Sequence, residues 1–275
     1  MKRPVAGSVL LLCLFACGPF AADDPLAATQ AKLGDIRSGT MELRIVASSR
    51  SGEATGFALT GPFSLPEGDA LPEAELTLEQ IGTEELGPLV FISTGDVAFI
   101  EVEGQAYKLP AEQTPSLRGA AEPGDQGPFS GLDIVAWVSE ANVSDGGMLD
   151  GVETEIVRGD LDVVAAANDL LEAARDFGGV DVPAIEDQEA ERLGRAVESA
   201  SLELITGKED RLLRRLRIAI DIGASAPANL DPALADLLGV EFRLLLEIRD
   251  PNREVVVRPP SDPLPYESLV DASSG

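Results

Sequence analysis

Cys17 is the side chain in this sequence best placed for chemistry. Lys2 and Arg3 open the chain, an apolar stretch over residues 5–16 follows, and Leu14-Phe15-Ala16-Cys17 ends it. A charged start before a short apolar run is the pattern of an export signal, and residues 5–16 are too few to cross about 30 Å of hydrocarbon as a helix. Ala16 is small enough to sit at a scissile bond, and the thiol of Cys17 is the nucleophile that would accept a diacylglyceryl group. An ordinary secretory signal, cut near Ala21 or Ala22 with Cys17 discarded, is the other reading of the same residues. Cys13 lies inside the leader, so cleavage before Cys17 leaves a single sulfur and no disulfide.

The rest of the chain offers little reactive chemistry. Histidine is absent altogether, which removes the commonest general base and metal ligand near neutral pH. Asp160-Leu161-Asp162 could present two carboxylates to a hard cation, but no glycine-bearing loop of matching length follows, and Asp160 reads better as a helix cap. Arg211, Arg214, Arg215 and Arg217 form a basic cluster that could face a lipid phosphate, or pair across strands with Glu241 and Glu247. The acidic runs Glu84-Glu85 and 186–191 read as solvated faces. No paired-acid motif stands out, so the sequence predicts no enzyme, no cofactor and no metal.

Acidic side chains number 48 against 21 basic ones, for a formal charge of −27. That balance excludes a nucleic-acid partner and repels anionic headgroups, so membrane contact is expected through an N-terminal acyl anchor and not through a basic surface. The localisation that follows is a cell membrane, with the protein lipid-anchored on the extracytoplasmic face.

Alternation supplies the scaffold. Residues 40–47 place Met41, Leu43, Ile45 and Ala47 on one side and Glu42 and Arg44 on the other, the period of a half-buried strand. Residues 54–63 repeat it with Phe57 and Leu59, and 74–81 with Leu76 and Leu78. The run 89–93 is apolar, and Ala98, Ile100 and Val102 alternate before a tight Glu103-Gly104 hairpin into 105–109. Later, Leu216, Ile218, Ile220 and Ile222 alternate over 212–222, and Val240, Phe242, Leu244, Leu246 and Ile248 over 240–249. Strands are also expected at 152–158, 201–206 and 254–258, with a turn at 207–210. Helices are expected at 26–33, at 132–138 with Trp137, after an Asp160 cap up to Gly178-Gly179, and over 186–199. Residues 110–131, rich in Pro and Gly, read as a long loop at a cavity rim.

About ten strands and two long helices give an α+β fold, a large twisted antiparallel sheet with helices covering one face. The domain plan is a leader at 1–16, an anchor linker and short helix at 17–34, and a single domain over 35–275. Aromatics are only 4% of residues, so Leu, Ile and Val must fill the interior.

Several segments resemble the LppX/LprA/LprF/LprG lipoproteins of actinobacteria, which are similar in shape to the LolA and LolB carriers. They are the lipobox 14–17, Phe91-Ile92-Ser93-Thr94-Gly95-Asp96 running on to Gly104-Gln105-Ala106-Tyr107, and Ala200-Ser201-Leu202-Glu203-Leu204-Ile205-Thr206-Gly207-Lys208, with Arg214-Arg215-Leu216 after it. The resemblance implies an open half-barrel that shelters acyl chains of a lipid or an acylated ligand, possessing no catalytic residue.

On that basis Met41, Leu43 and Ile45, Phe57 and Leu59, and Leu76 and Leu78 are expected to line a cavity. Ile100 and Trp137 join them, as do Leu216, Ile218 and Ile220 with Phe242 and Leu244. Alternation reports burial and not a void, so the same rows would simply pack helices if the sheet encloses no room. The functional expectation is an envelope lipoprotein that binds lipid for transport. The alternative is a structural or regulatory lipoprotein with a filled core that binds an envelope protein partner.

Overall fold

The computed structural model describes residues 24–66, 70–82, 87–114, 129–178, 187–223 and 238–273. The expected leader with Cys17 lies outside them, as does most of the segment 110–131, expected as a loop.

Alternating segments become strands close to where the pattern places them: β1 (Ser38–Ser49), β2 (Ala54–Ser64), β3 (Glu73–Ile81), β4 (Leu89–Thr94), β5 (Ala98–Val102) and β6 (Gln105–Lys108). β7 (Val138–Leu149), β8 (Val152–Leu161), β9 (Val197–Gly207), β10 (Leu213–Ile222), β11 (Val240–Arg249) and β12 (Leu264–Pro265) follow. The helices are α1 (Pro25–Gln30), α2 (Val163–Gly178), α3 (Asp187–Ala196) and α4 (Glu267–Ser273).

All 12 strands join one sheet in the order β12-β6-β5-β4-β3-β2-β1-β11-β10-β9-β8-β7. Its edges β12 and β7 do not pair, so the sheet is an open half-barrel. Every pairing is antiparallel except that of the short β12 with β6. β1 is the seam, antiparallel to β2 on one side and to β11 on the other. The register aligns the apolar rows: Leu43 faces Leu59 and Leu246, Ile45 faces Phe57 and Leu244, and Leu244 faces Ile218. One face of the sheet thereby becomes continuously apolar, and α1 and α2 cover part of it. Leu26, Leu33 and Ala166 belong to the same core as Leu202, Leu204, Leu216 and Leu246.

One turn and one strand position need special backbone. Glu103 and Gly104 both take positive φ (52° and 80°), as a type I′ hairpin requires. Gly61 lets β2 approach β3 so closely that a Cβ there would lie 1.9 Å from the Glu75 carbonyl oxygen.

The structure corrects several expectations. Residues 132–138 form turns that lead into β7, not a helix. β7 itself escapes the alternation rule because an edge strand exposed on both sides has no apolar face to display, and two register shifts break its period. Asp160 belongs to β8, and the cap of α2 is Asp162, whose Oδ1 accepts from the backbone N–H groups of Val164 and Ala165 at 3.1 and 3.0 Å. α3 ends at Ala196, so residues 197–199, expected as the end of that helix, are strand residues of β9. Residues 254–258, expected as a strand, join none of the strands. Val255 and Val257 instead pack on the outer face against Ile92 and Phe99 in a second small core.

Candidate ligand-binding face

The inner face has a closed end and an open end. At the closed end Phe63, Ala74, Ala98 and Ile248 are buried. At the other end Ile45, Phe57, Leu78, Leu89, Val102, Ile220 and Phe242, brought together by the strand registers, are half-buried. The two wings differ too. Between those ends Leu43, Leu59, Leu76, Phe91 and Ile100 on β1–β5 stay half-buried, as does Met41. On β10 and β11, Leu216, Ile218, Leu244 and Leu246 are buried. Large apolar side chains left half-buried along one continuous face retain apolar surface that a further apolar body would remove from water.

Thus the predicted lining residues, Trp137 apart, share this face, in two environments. Met41, Leu43, Ile45, Phe57, Leu59, Leu76, Leu78, Ile100, Ile220 and Phe242 keep contact with solvent, whereas Leu216, Ile218 and Leu244 are packed. Trp137 is fully buried in the main core, and its indole N–H donates to Asp169 Oδ2 at 2.7 Å. The same carboxylate oxygen accepts from the backbone N–H of Asp133 at 3.0 Å, so α2 holds the turn that starts β7. Leu202, Leu204, Leu246 and Ile248 also lie on the inner face. Their alternation was visible, but alternation does not say which end of a strand is covered.

Polar contacts fasten the closed end. Thr29 of α1 and Thr206 of β9 are both fully buried with hydroxyl oxygens 2.8 Å apart. Thr29 also reaches the Pro25 carbonyl at 2.6 Å, and Thr206 donates to the Leu212 carbonyl at 3.2 Å.

The outer face is charged and largely paired. Arg215 meets Glu247 at 2.6 Å, and Glu203 takes both Arg158 at 2.6 Å and Arg217 at 3.1 Å. Arg211 pairs with Glu155 and Arg214 with Asp210. The basic cluster therefore divides: its four arginines pair with four different carboxylates, and Glu241 pairs with Arg243 instead. A depression of about 470 Å³ over Ser201 and Ala219 is ringed by Arg158, Glu203, Arg217 and Arg243, charges that suit water better than an acyl chain.

At the β7 edge, Lys208 Nζ lies 3.0 Å from Asp145. That hydrogen bond, with help from the backbone N–H of Gly147, holds the Asp145 carboxyl below the usual carboxylate range and raises the Lys208 ammonium above its own. No helix among the described residues is long and apolar enough to cross a membrane.

No family model and no curated protein sequence matches the chain. In fold it is similar to LprF from Mycobacterium bovis. That likeness has a TM-score of 0.44 at 14% identity, over 86% of this chain and 96% of LprF. A LolA superfamily protein from Nitrosomonas europaea aligns over 82% of this chain and 92% of its own, with a TM-score of 0.21 and 6% identity. A DUF1329 family protein from Desulfovibrio piger aligns over 84% and 95%, with a TM-score of 0.23 and 9% identity. LprF is one of the group that the sequence resembles. Of the segments carrying the sequence resemblance, 14–17 lies outside the described residues, and the others fall on β4 and the turn after it, on β6 and its hairpin, on β9 and at the start of β10.

Proposed function

We propose that the protein is an envelope lipoprotein, anchored through acyl chains on Cys17, whose half-barrel binds a lipid or another hydrophobic ligand along its inner face. The observation that carries the reading is the run of half-buried apolar side chains from Ile45 and Phe57 through Leu78 and Leu89 to Val102, continuous with Ile220 and Phe242. Binding is a partition with no covalent step. At about 25 cal/mol per Å², covering a few hundred Å² of acyl chain is worth several kcal/mol. Two or three anchoring chains, at about 0.8 kcal/mol per buried methylene, would keep the carrier on its membrane while the ligand exchanges.

The test is lipid capture. Native mass spectrometry of the protein purified from its own cells should find co-purifying lipid, and the protein should take up a fluorescent fatty acid. Phe242→Asp should weaken uptake at least tenfold with the fold retained, because Phe242 sits half-buried at the open end. Ile218→Trp should instead cost stability, about 1–3 kcal/mol, because that side chain is already packed. Cys17→Ser should move the protein from the detergent-rich to the aqueous phase. The rival, a structural or regulatory lipoprotein that binds an envelope protein, draws on the filled closed end. A clean apo mass with no fatty-acid uptake would decide for it.

A further inference from the structure

β7 is 12 residues long and ends the sheet, so its outer edge meets no strand among the described residues. Hydrogen-bond direction shows which of its groups are left over. The Lys208 N–H donates to the Glu153 carbonyl, so on β8 the backbone polar groups of Glu153, Glu155 and Val157 turn toward β9. Val143 and Asp145 stand opposite Val157 and Glu155, which makes both of them non-hydrogen-bonded pairs with β8. Their own N–H and C=O groups therefore point away from the sheet. The two register shifts, between Ser139 and Asn142 and between Asp145 and Gly147, fall on either side, so residues 142–145 are a regular stretch of open ladder.

A long sheet edge is ordinarily blunted by lysine or proline, and β7 contains neither. The β7–β8 ribbon over 138–161 instead holds six carboxylates against Arg158 alone. Lys208 and Arg211 answer Asp145, Glu153 and Glu155, while Glu140, Asp150 and Asp160 have no ion pair among the described residues. A second copy of the chain would bring the same carboxylates edge to edge, which opposes self-pairing. On the side of Val157 the edge shows Val143, 46% exposed, and Met148, which lies opposite Glu153 and is 64% exposed. A strand laid along it would gain backbone hydrogen bonds at Val143 and Asp145, cover the two apolar side chains and bring cations to the spare carboxylates. We propose that the β7 edge is a docking site for an extended basic segment of a partner protein, which joins the sheet as one more strand. Its apolar side chains lie over Val143 and Met148, and lysine or arginine takes the alternate positions. The site is separate from the inner apolar face and does not depend on lipid binding.

The probe is a short end-blocked peptide of alternating lysine and valine, titrated calorimetrically into the purified protein. One control replaces lysine by glutamate, and the other keeps the lysines but carries N-methyl groups on the valines, so that its charge is unchanged and its donors to the edge are gone. Both controls should bind about tenfold more weakly or worse. Val143→Pro removes an outward N–H without breaking a bond to β8, and should weaken the lysine/valine peptide about tenfold while the melting temperature stays near that of the wild type. In amide hydrogen exchange, Val143 and Asp145 should exchange freely in the protein alone and slow when the peptide is added. If Val143→Pro fails to fold, the N-methylated peptide and the exchange rates decide. Equal binding of either control, a folded Val143→Pro that binds unchanged, or no binding at all overturns the edge assignment. So does slow exchange at both amides in the protein alone, which would put a segment of the chain itself on that edge.

Discussion

Single side chains join the helices to the sheet through buried polar contacts that no pattern of hydrophobicity announces. Asp169 is the sharpest case, because one carboxylate oxygen serves both the Trp137 indole and the Asp133 backbone N–H. Asp169→Ala leaves the indole N–H buried and unpaired, and should cost about 1–3 kcal/mol, read as a lowered denaturation midpoint with an unchanged slope. Trp137→Phe in the same background should recover part of the loss, since a phenyl ring has no donor to strand. Trp137 was legible as an inward-facing side chain, but it was expected at a cavity wall and lies instead fully buried in the packed core. Its partner was not legible, because Asp169 lies on a different element and nothing local pairs the two.

At the level of elements, what the sequence discloses depends on how asymmetric each element's surroundings are. β1, β10 and β11 have one apolar and one charged face, and their alternation marks them within two residues of their ends. β7 is exposed along most of its length and has no such asymmetry, so only a coordinate view finds it. The start of α2 was misplaced by one period of the strand before it. Asp160 and Asp162 are both competent caps, and what decides is that β8 continues to Leu161. Asp162→Ala should therefore cost about 1 kcal/mol and Asp160→Ala far less, a difference that chemical denaturation resolves. At the sheet's edge, the lowered Asp145 carboxyl contributes stability above its unfolded value and loses it as pH falls through the folded one. The raised Lys208 contributes below its unfolded value and loses it as pH rises through the folded one, so the pair is fully formed around neutrality. Lys208→Met should return the Asp145 titration, followed by carboxyl NMR, toward an ordinary aspartate. Its effect on the melting temperature should be small because the pair is exposed. An unmoved titration would mean that the ammonium is not the cause.

For the whole molecule, the open sheet has a thermodynamic consequence. A closed barrel or a fully covered sheet buries its apolar rows on folding, but here the rows on β1–β5 remain half-buried, so part of the available hydrophobic stabilisation is not realised by the chain alone. A ligand that covers those rows binds the folded state and has no comparable surface in the unfolded one. Stability must then rise with free ligand as RT ln(1 + [L]/Kd), about 2.7 kcal/mol at a hundred times Kd. Delipidated protein should accordingly melt several degrees lower than protein re-equilibrated with excess fatty acid, with a midpoint that climbs logarithmically with concentration and does not plateau. The same delipidated protein should bind a dye that reports apolar surface, and lose that binding as fatty acid is added. Phe242→Asp separates this from nonspecific detergent-like effects: it should lower the dye signal and flatten the dependence on ligand, while the melting temperature without ligand stays near that of the wild type. A delipidated wild type whose midpoint ignores fatty acid would mean that the half-buried rows are covered by the chain's own segments, and that the half-barrel is a scaffold and not a container.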